Sequence, residues 1–126
     1  MIKQLLVTAF VLAAISTITT TAHAQKTEAS FPGGDTAWMH FLNHTMRYPD
    51  DAVNNEIMGT VIVSFTVNTD STIADIQAIS GPKKGGLREE SVRVITLSRK
   101  WIPATDNGVP VKSTKQMPLK FRLEKG

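Results

Sequence analysis

The segment RYPDDAVNNEIMGTVIVSFTV, residues 47–67, decides the fold because it joins a helix boundary to a half-buried strand. Pro49 ends one helix and starts the next, where Asp50 and Asp51 favour the positive end of the helix dipole. Gly59 frees the backbone to turn, and the residues after it alternate between two faces, which predicts a strand. One face is wholly apolar and consists of Val61, Val63, Phe65 and Val67.

The residues downstream predict the rest of a small sheet. NTDS, at 68–71, favours a turn, so residues 60–80 should form an antiparallel hairpin. Residues 87–100 have helical periodicity, and residues 111–123 can extend as a third strand. Pro118 lacks a backbone donor and confines that strand to a sheet edge. The pattern predicts an α+β fold with two to three helices packed on a three-stranded antiparallel sheet.

The first helix is predicted after FPGG, with Asp35 as its cap and His40 and His44 on the face opposite its apolar stripe. That stripe consists of Trp38, Phe41 and Leu42. Two histidines four residues apart can bind one metal, but no nearby third ligand completes a site. We therefore expect no metal and no cofactor. A small metal-dependent or hydrolytic enzyme using these histidines remains the least favoured alternative.

Composition excludes several other functions. The chain has no cysteine, hence no disulfide and no thiolate nucleophile or ligand. It has no G-x-S-x-G motif, and its adjacent carboxylates cannot flank one substrate bond, so we expect no enzymatic activity. The net charge is only +3, and the basic residues are scattered among acidic ones. This distribution argues against nucleic-acid binding.

The amino terminus has the pattern of a cleavable signal peptide at residues 1–24, with Lys3, an apolar run at 5–15 and a small-x-small site before Gln25. We expect a short linker at 25–30, one domain at 31–126, a periplasmic location and no stable membrane anchor. The alternative is an energy transducer anchored by an uncleaved helix at residues 5–18, although a membrane span needs about 20 apolar residues.

The order and spacing of these motifs resemble the carboxy-terminal domain of TonB proteins, in the form common among Bacteroidetes. The similarity runs from residue 31 to residue 123, through FPGG, YPDDAVNNEIMG, TVIVSFTV, LREESVRVI, WIP, NGVPV and MPLKFRL. Ser71 departs from the family, which usually turns there with Asp-Gly. The motif positions are Tyr48, Pro49, Gly59, Trp101, Pro103, Gly108, Pro118 and Phe121.

The resemblance implies a protein-binding function associated with TonB-dependent transport. Such domains bind the Ton box, an extended peptide of an outer-membrane receptor, by adding it as a strand at the sheet edge. The partner would be a TonB-dependent receptor or another envelope protein, and a homodimer through the same edge is a further option. The corresponding edge residues here are Lys112, Ser113, Thr114, Lys115, Gln116 and Met117.

Overall fold

A computed structural model describes residues 25–124. The signal peptide predicted at residues 1–24 lies outside these residues. Within them, no helix is both long and apolar enough to cross a membrane. The elements in chain order are β1 (Lys26–Thr27), α1 (Gly34–Thr45), α2 (Asp50–Asn54), β2 (Gly59–Val67), β3 (Ile73–Ser80), α3 (Leu87–Leu97), β4 (Ala104–Asp106), β5 (Val109–Val111) and β6 (Ser113–Phe121).

The main sheet has the antiparallel order β3-β2-β6. The apolar face of β2 is fully buried, and α3 packs against β2 and β3. Leu119 and Phe121 of β6 extend this buried face to the edge strand. The hairpin, the third strand and the α+β class are confirmed.

A second, smaller sheet with the order β1-β4-β5 was not expected from the sequence. Asn107 and Gly108 have φ angles of 53° and 79°, the two positive values of a type I′ hairpin turn. This turn folds β5 back onto β4, so the main-sheet strand begins only at Ser113. In the segment predicted as a linker, Lys26 and Thr27 pair with Asp106 and Thr105.

An aromatic cluster joins α1 to the sheet. Trp101 is 1% exposed, as expected from its position before the Pro103 stop. Its ring centroid lies 5.0 Å from that of Phe65, 5.4 Å from that of Trp38 and 5.5 Å from that of Phe31. These edge-to-face contacts bring together three parts of the chain that are distant in sequence, around residues 31–38, 65 and 101.

Two details of the helices differ from the sequence prediction. Asp35 does not cap α1: the cap position is Gly33, at φ 91°, and Asp35 lies in the first turn. A Cβ on Gly33 would lie 2.7 Å from the Cβ of Ala37, so the chain enters this helix through a residue without a side chain. The sequence also predicts that Ala52, Val53 and Ile57 form the inner face of the second helix; Ala52 is fully buried, but Val53 is 42% exposed.

Candidate functional site

Strand β6 is an edge of the main sheet and pairs with β2 over nine residues without a register shift. Pro118, opposite Ile62, fits a regular ladder only if its backbone faces away from β2. Backbone groups alternate between the two sides of a strand, so Thr114, Gln116 and Lys120 share that outward direction. Three N–H groups and, with Pro118, four C=O groups are therefore directed away from β2.

The opposite edge, β3, is less suited to pairing with another strand. Its register with β2 shifts between Ile62 and Val63 and again between Ser64 and Thr66. Asp75, within β3, has a φ of 53°, which breaks the extended conformation. Such irregularities disturb the spacing of donors and acceptors and protect an edge from strand addition. Of the two edges of this sheet, β6 is the regular one.

The predicted edge residues fall into two sets. Thr114 and Gln116 are exposed on the open face of the sheet, and Lys112, just before β6, is also exposed. Lys115 and Met117 are half-buried on the same side of the strand as Leu119 and Phe121.

Ser113 lies on that side too. Its hydroxyl is buried and has no hydrogen-bond partner among the described residues.

The motif residues Tyr48 and Gly59 support one end of β6. The Tyr48 hydroxyl donates to the carbonyl oxygen of Ile57 at 2.5 Å, and its ring meets that of Phe121 edge-on, with centroids 5.6 Å apart. Burial raises the pKa of the Tyr48 phenol above its ordinary value. Gly59 has a φ of 155°, and a Cβ there would lie 2.8 Å from Cγ of Pro82. Tyr48 thus packs against the end of β6, and Gly59, which pairs with Phe121 of β6, lets the start of β2 pass close to Pro82.

Pro49, Trp101, Pro103 and Gly108 act at the element boundaries. Pro49 is the residue before α2 and has an extended conformation. Trp101 is buried, Pro103 immediately precedes β4, and Gly108 is in the type I′ turn. These residues shape the scaffold and lie outside the edge itself.

A groove of about 730 Å³ lies between α1 and the second half of β6. Sequence reasoning missed it, because its two walls come from elements about 70 residues apart. The signal available in the sequence was a pair of methionines outside the apolar stripe and seven residues apart, Met39 on α1 and Met46 directly after it. The lining residues of α1 and its C-terminal extension are Trp38, Met39, Leu42, Asn43, Met46, Arg47 and Tyr48. Those of β6 and beyond are Met117, Pro118, Lys120, Phe121 and Arg122.

The end of α1 beside this groove is fixed by a charged cluster on α3. Arg93 forms a salt bridge to Glu90 at 2.8 Å and donates to the carbonyl oxygen of Thr45, while Glu90 accepts the backbone N–H of Arg47. Burial alone would raise the pKa of the Glu90 carboxyl. The hydrogen bonds from Arg93 and Arg47, together with their charges, outweigh burial and hold that pKa below its ordinary value. The cluster therefore positions the helix wall of the groove.

His40 and His44 are exposed on α1 with ring centroids 6.2 Å apart. Nδ1 of His44 lies 2.8 Å from the carbonyl oxygen of His40, within hydrogen-bonding distance. In residues 25–124, no three His, Cys, Asp or Glu side chains come together as a metal site.

Comparisons with solved structures agree with this architecture. No curated protein matches the chain in sequence. A solution structure of the Helicobacter pylori TonB C-terminal domain has a TM-score of 0.53 and 22% identity, covering 86% of this chain and 96% of that one. A shorter fragment of the same domain has a TM-score of 0.52 and 21% identity, covering 72% of this chain and 95% of that one. At these identities the likeness concerns the fold alone.

The family assignment rests on sequence. The model for the Gram-negative bacterial TonB protein C-terminal matches residues 44–123, which is more than half of the chain. The matched residues span α2, the whole main sheet and α3. The chain belongs to the TonB C-terminal domain family.

Proposed function

We propose that this protein binds an extended peptide of an outer-membrane TonB-dependent receptor, or of another envelope protein, by adding it as a fourth strand beside β6. The binding takes place in the periplasm, after export by the predicted signal peptide. Membership of a family of protein-interaction domains supports a binding role in TonB-associated transport. The observation that supports the mode of binding is the regular edge of β6, with nine continuous pairs to β2.

The backbone of β6 supplies most of the attraction in this mode, so side chains on the open face contribute little. An added strand lies about 4.8 Å from its neighbour and bonds to alternate residues. On β6 these are Thr114, Gln116 and Lys120, with Pro118 as an acceptor only. At Pro118 the bound peptide therefore makes one hydrogen bond fewer than it would beside a residue with an N–H, and it keeps the bonds on both sides of this position.

The test compares proline and alanine at the same positions. Thr114→Pro or Gln116→Pro removes an outward donor and places a ring against the incoming strand, without removing a bond to β2. Thr114→Ala and Gln116→Ala leave the backbone ladder intact. The probe is a set of synthetic peptides that cover the periplasmic amino-terminal segments of the host's outer-membrane receptors, titrated by fluorescence anisotropy.

We expect the proline variants to weaken binding by about tenfold or more, equivalent to about 1.4 kcal/mol, and the alanine variants to change it by less than about twofold. Circular dichroism checks that each variant is folded. Folded proline variants that bind the peptides as the parent does would exclude strand addition at β6. Loss of binding in His40→Ala, with no loss in the proline variants, would place the site on α1 instead.

A further inference from the structure

The groove beside β6 combines an apolar floor with a basic rim. Met39 is 54% exposed in one wall of the groove. The thioether side chains of Met39, Met46 and Met117, which all line the groove, are flexible and polarisable. Such a lining adapts to large side chains of different shapes. The apolar residues that define the floor are Trp38, Leu42, Met46, Tyr48, Met117 and Phe121.

The charges at the groove all have one sign. Arg47, Lys120 and Arg122 line it, and no aspartate or glutamate does. Neither Lys120 nor Arg122 forms a salt bridge with any carboxylate within residues 25–124. Next to a cleft that excludes part of the water, two unpaired cations attract an anionic group more strongly than they would on an open surface.

The direction of the β6 side chains determines what an added strand would place in the groove. Odd-numbered residues of β6, including Met117 and Phe121, face the helices, whereas even-numbered residues face the open side of the sheet. Directly opposite residues of paired strands point to the same side. Alternate side chains of the added strand would therefore enter the space between β6 and α1.

We propose that this groove selects extended peptides that have a large apolar side chain beside Met117 and an acidic residue beside Lys120 and Arg122. The spacing along β6 places the acidic residue about three or five positions from the apolar one, so the apolar side chain enters the groove and the acidic one lies on the open side, where Lys120 and Arg122 are exposed. This specificity rests on the proposed strand addition and adds a side-chain requirement to it. Methionine, leucine and phenylalanine suit the apolar position, and aspartate or glutamate suits the other.

The experiment uses a phage-displayed library of random linear peptides of about ten residues, selected on the purified protein. Enriched peptides are synthesised and titrated against Gln116→Pro and four further variants. Lys120→Glu/Arg122→Glu inverts the basic rim, and Lys83→Glu/Lys84→Glu makes the same change in an exposed loop outside the groove. Met39→Ser removes an exposed groove side chain, and Leu97→Ser, at a residue that is 47% exposed, is its matched control.

We expect the enriched peptides to combine an acidic and a large apolar residue at that spacing. The rim variant should bind them about tenfold more weakly, and Met39→Ser about threefold, equivalent to about 1.4 and 0.6 kcal/mol. Both controls should bind as the parent does. Replacing the peptide's acidic residue by lysine should restore binding to the rim variant and abolish binding to the parent.

Three outcomes would overturn the proposal, and they separate it from the proposed function. Peptides that need an intact Gln116 backbone but show no acidic preference, and bind the rim variant normally, leave strand addition standing and exclude groove selection. Peptides that bind Gln116→Pro as tightly as they bind the parent protein contradict both groove selection and strand addition. A protein that enriches no peptide but forms a dimer, dissociated by Met39→Ser, would show that a second copy fills the groove.

Discussion

Replacing Trp101 by alanine should remove much of the free energy of unfolding of this domain. The side chain is 1% exposed and contacts the rings of Phe31, Trp38 and Phe65. A buried aromatic side chain covers about 150–250 Å², which at about 25 cal/mol per Å² corresponds to about 4–6 kcal/mol. Measured Phe and Trp to alanine changes cost about 3–5 kcal/mol, so we expect a loss of about 4 kcal/mol.

The hydrogen bond of the Trp101 indole contributes a smaller part of this free energy of unfolding. Its indole N–H donates to Oγ of Ser98 at 3.0 Å, and that hydroxyl itself donates to the carbonyl oxygen of Ile95. Because Ser98 keeps this second partner, loss of the indole leaves no polar atom entirely unbonded. Trp101→Phe should accordingly cost about 1–2 kcal/mol, from one hydrogen bond and part of the buried area.

The assay is urea unfolding monitored by circular dichroism. Equal dependence of the free energy of unfolding on urea concentration in parent and variant confirms that their free energies can be compared. Ile102→Ala, at a neighbouring residue that is 49% exposed, is the control and should cost less than about 1 kcal/mol. For a domain of this size, a loss of about 4 kcal/mol lowers the melting temperature by about 16–32 °C. A shift of a degree or two for Trp101→Ala would refute its place in the core.

Three further changes test other parts of the scaffold. Ser71→Gly should raise the free energy of unfolding by up to about 1 kcal/mol, because Ser71 has a φ of 76°, which strains a residue with a side chain; a lower urea midpoint would contradict this. Tyr48→Phe should lower it by about 1 kcal/mol, since the carbonyl of Ile57 loses its bond to the phenol; an unchanged midpoint would contradict that bond. The folded-state pKa of Glu90 is lowered, so its stabilising effect is complete above the unfolded pKa of about 4.3 and lost as pH falls through the folded value. Glu90→Gln should thus be less stable than the parent at neutral pH, and the difference should shrink below about pH 4; a difference that does not change with pH would mean that the carboxyl charge is not involved.

The main sheet could be predicted because its signals are local. The alternation from Val61 to Val67 extends over enough residues to define a buried face, and Pro118 marks the edge strand by its missing donor. The small sheet could not be predicted in the same way. Its strands at 104–106 and 109–111 are too short to show a period, and β1 pairs with residues almost 80 positions away.

The groove shows a different limit of sequence reasoning. Burial of Trp38 follows from helical spacing, but the relation of Met46 to Met117 depends on how α1 packs beside β6. The hydrogen bond from the backbone N–H of Arg47 to Glu90, which is also paired with Arg93, fixes the end of α1 against α3 and joins residues 43 positions apart. Periodicity describes each element separately and contains no information on such contacts.

The sequence of β6 favours a foreign strand over a second copy of itself. A symmetric antiparallel pair that uses the outward backbone groups must be centred on one residue of the strand. Centring at Met117 places Lys112 opposite Arg122, and centring at Gln116 places Lys112 opposite Lys120. Centring at Pro118 sets two prolines against each other, with no donor on either side. Each arrangement brings like charges or missing donors together, which is how natural edge strands avoid self-association. A peptide with a carboxylate near Lys120 and Arg122 meets opposite charge instead, so the features that oppose dimerisation favour the proposed ligand.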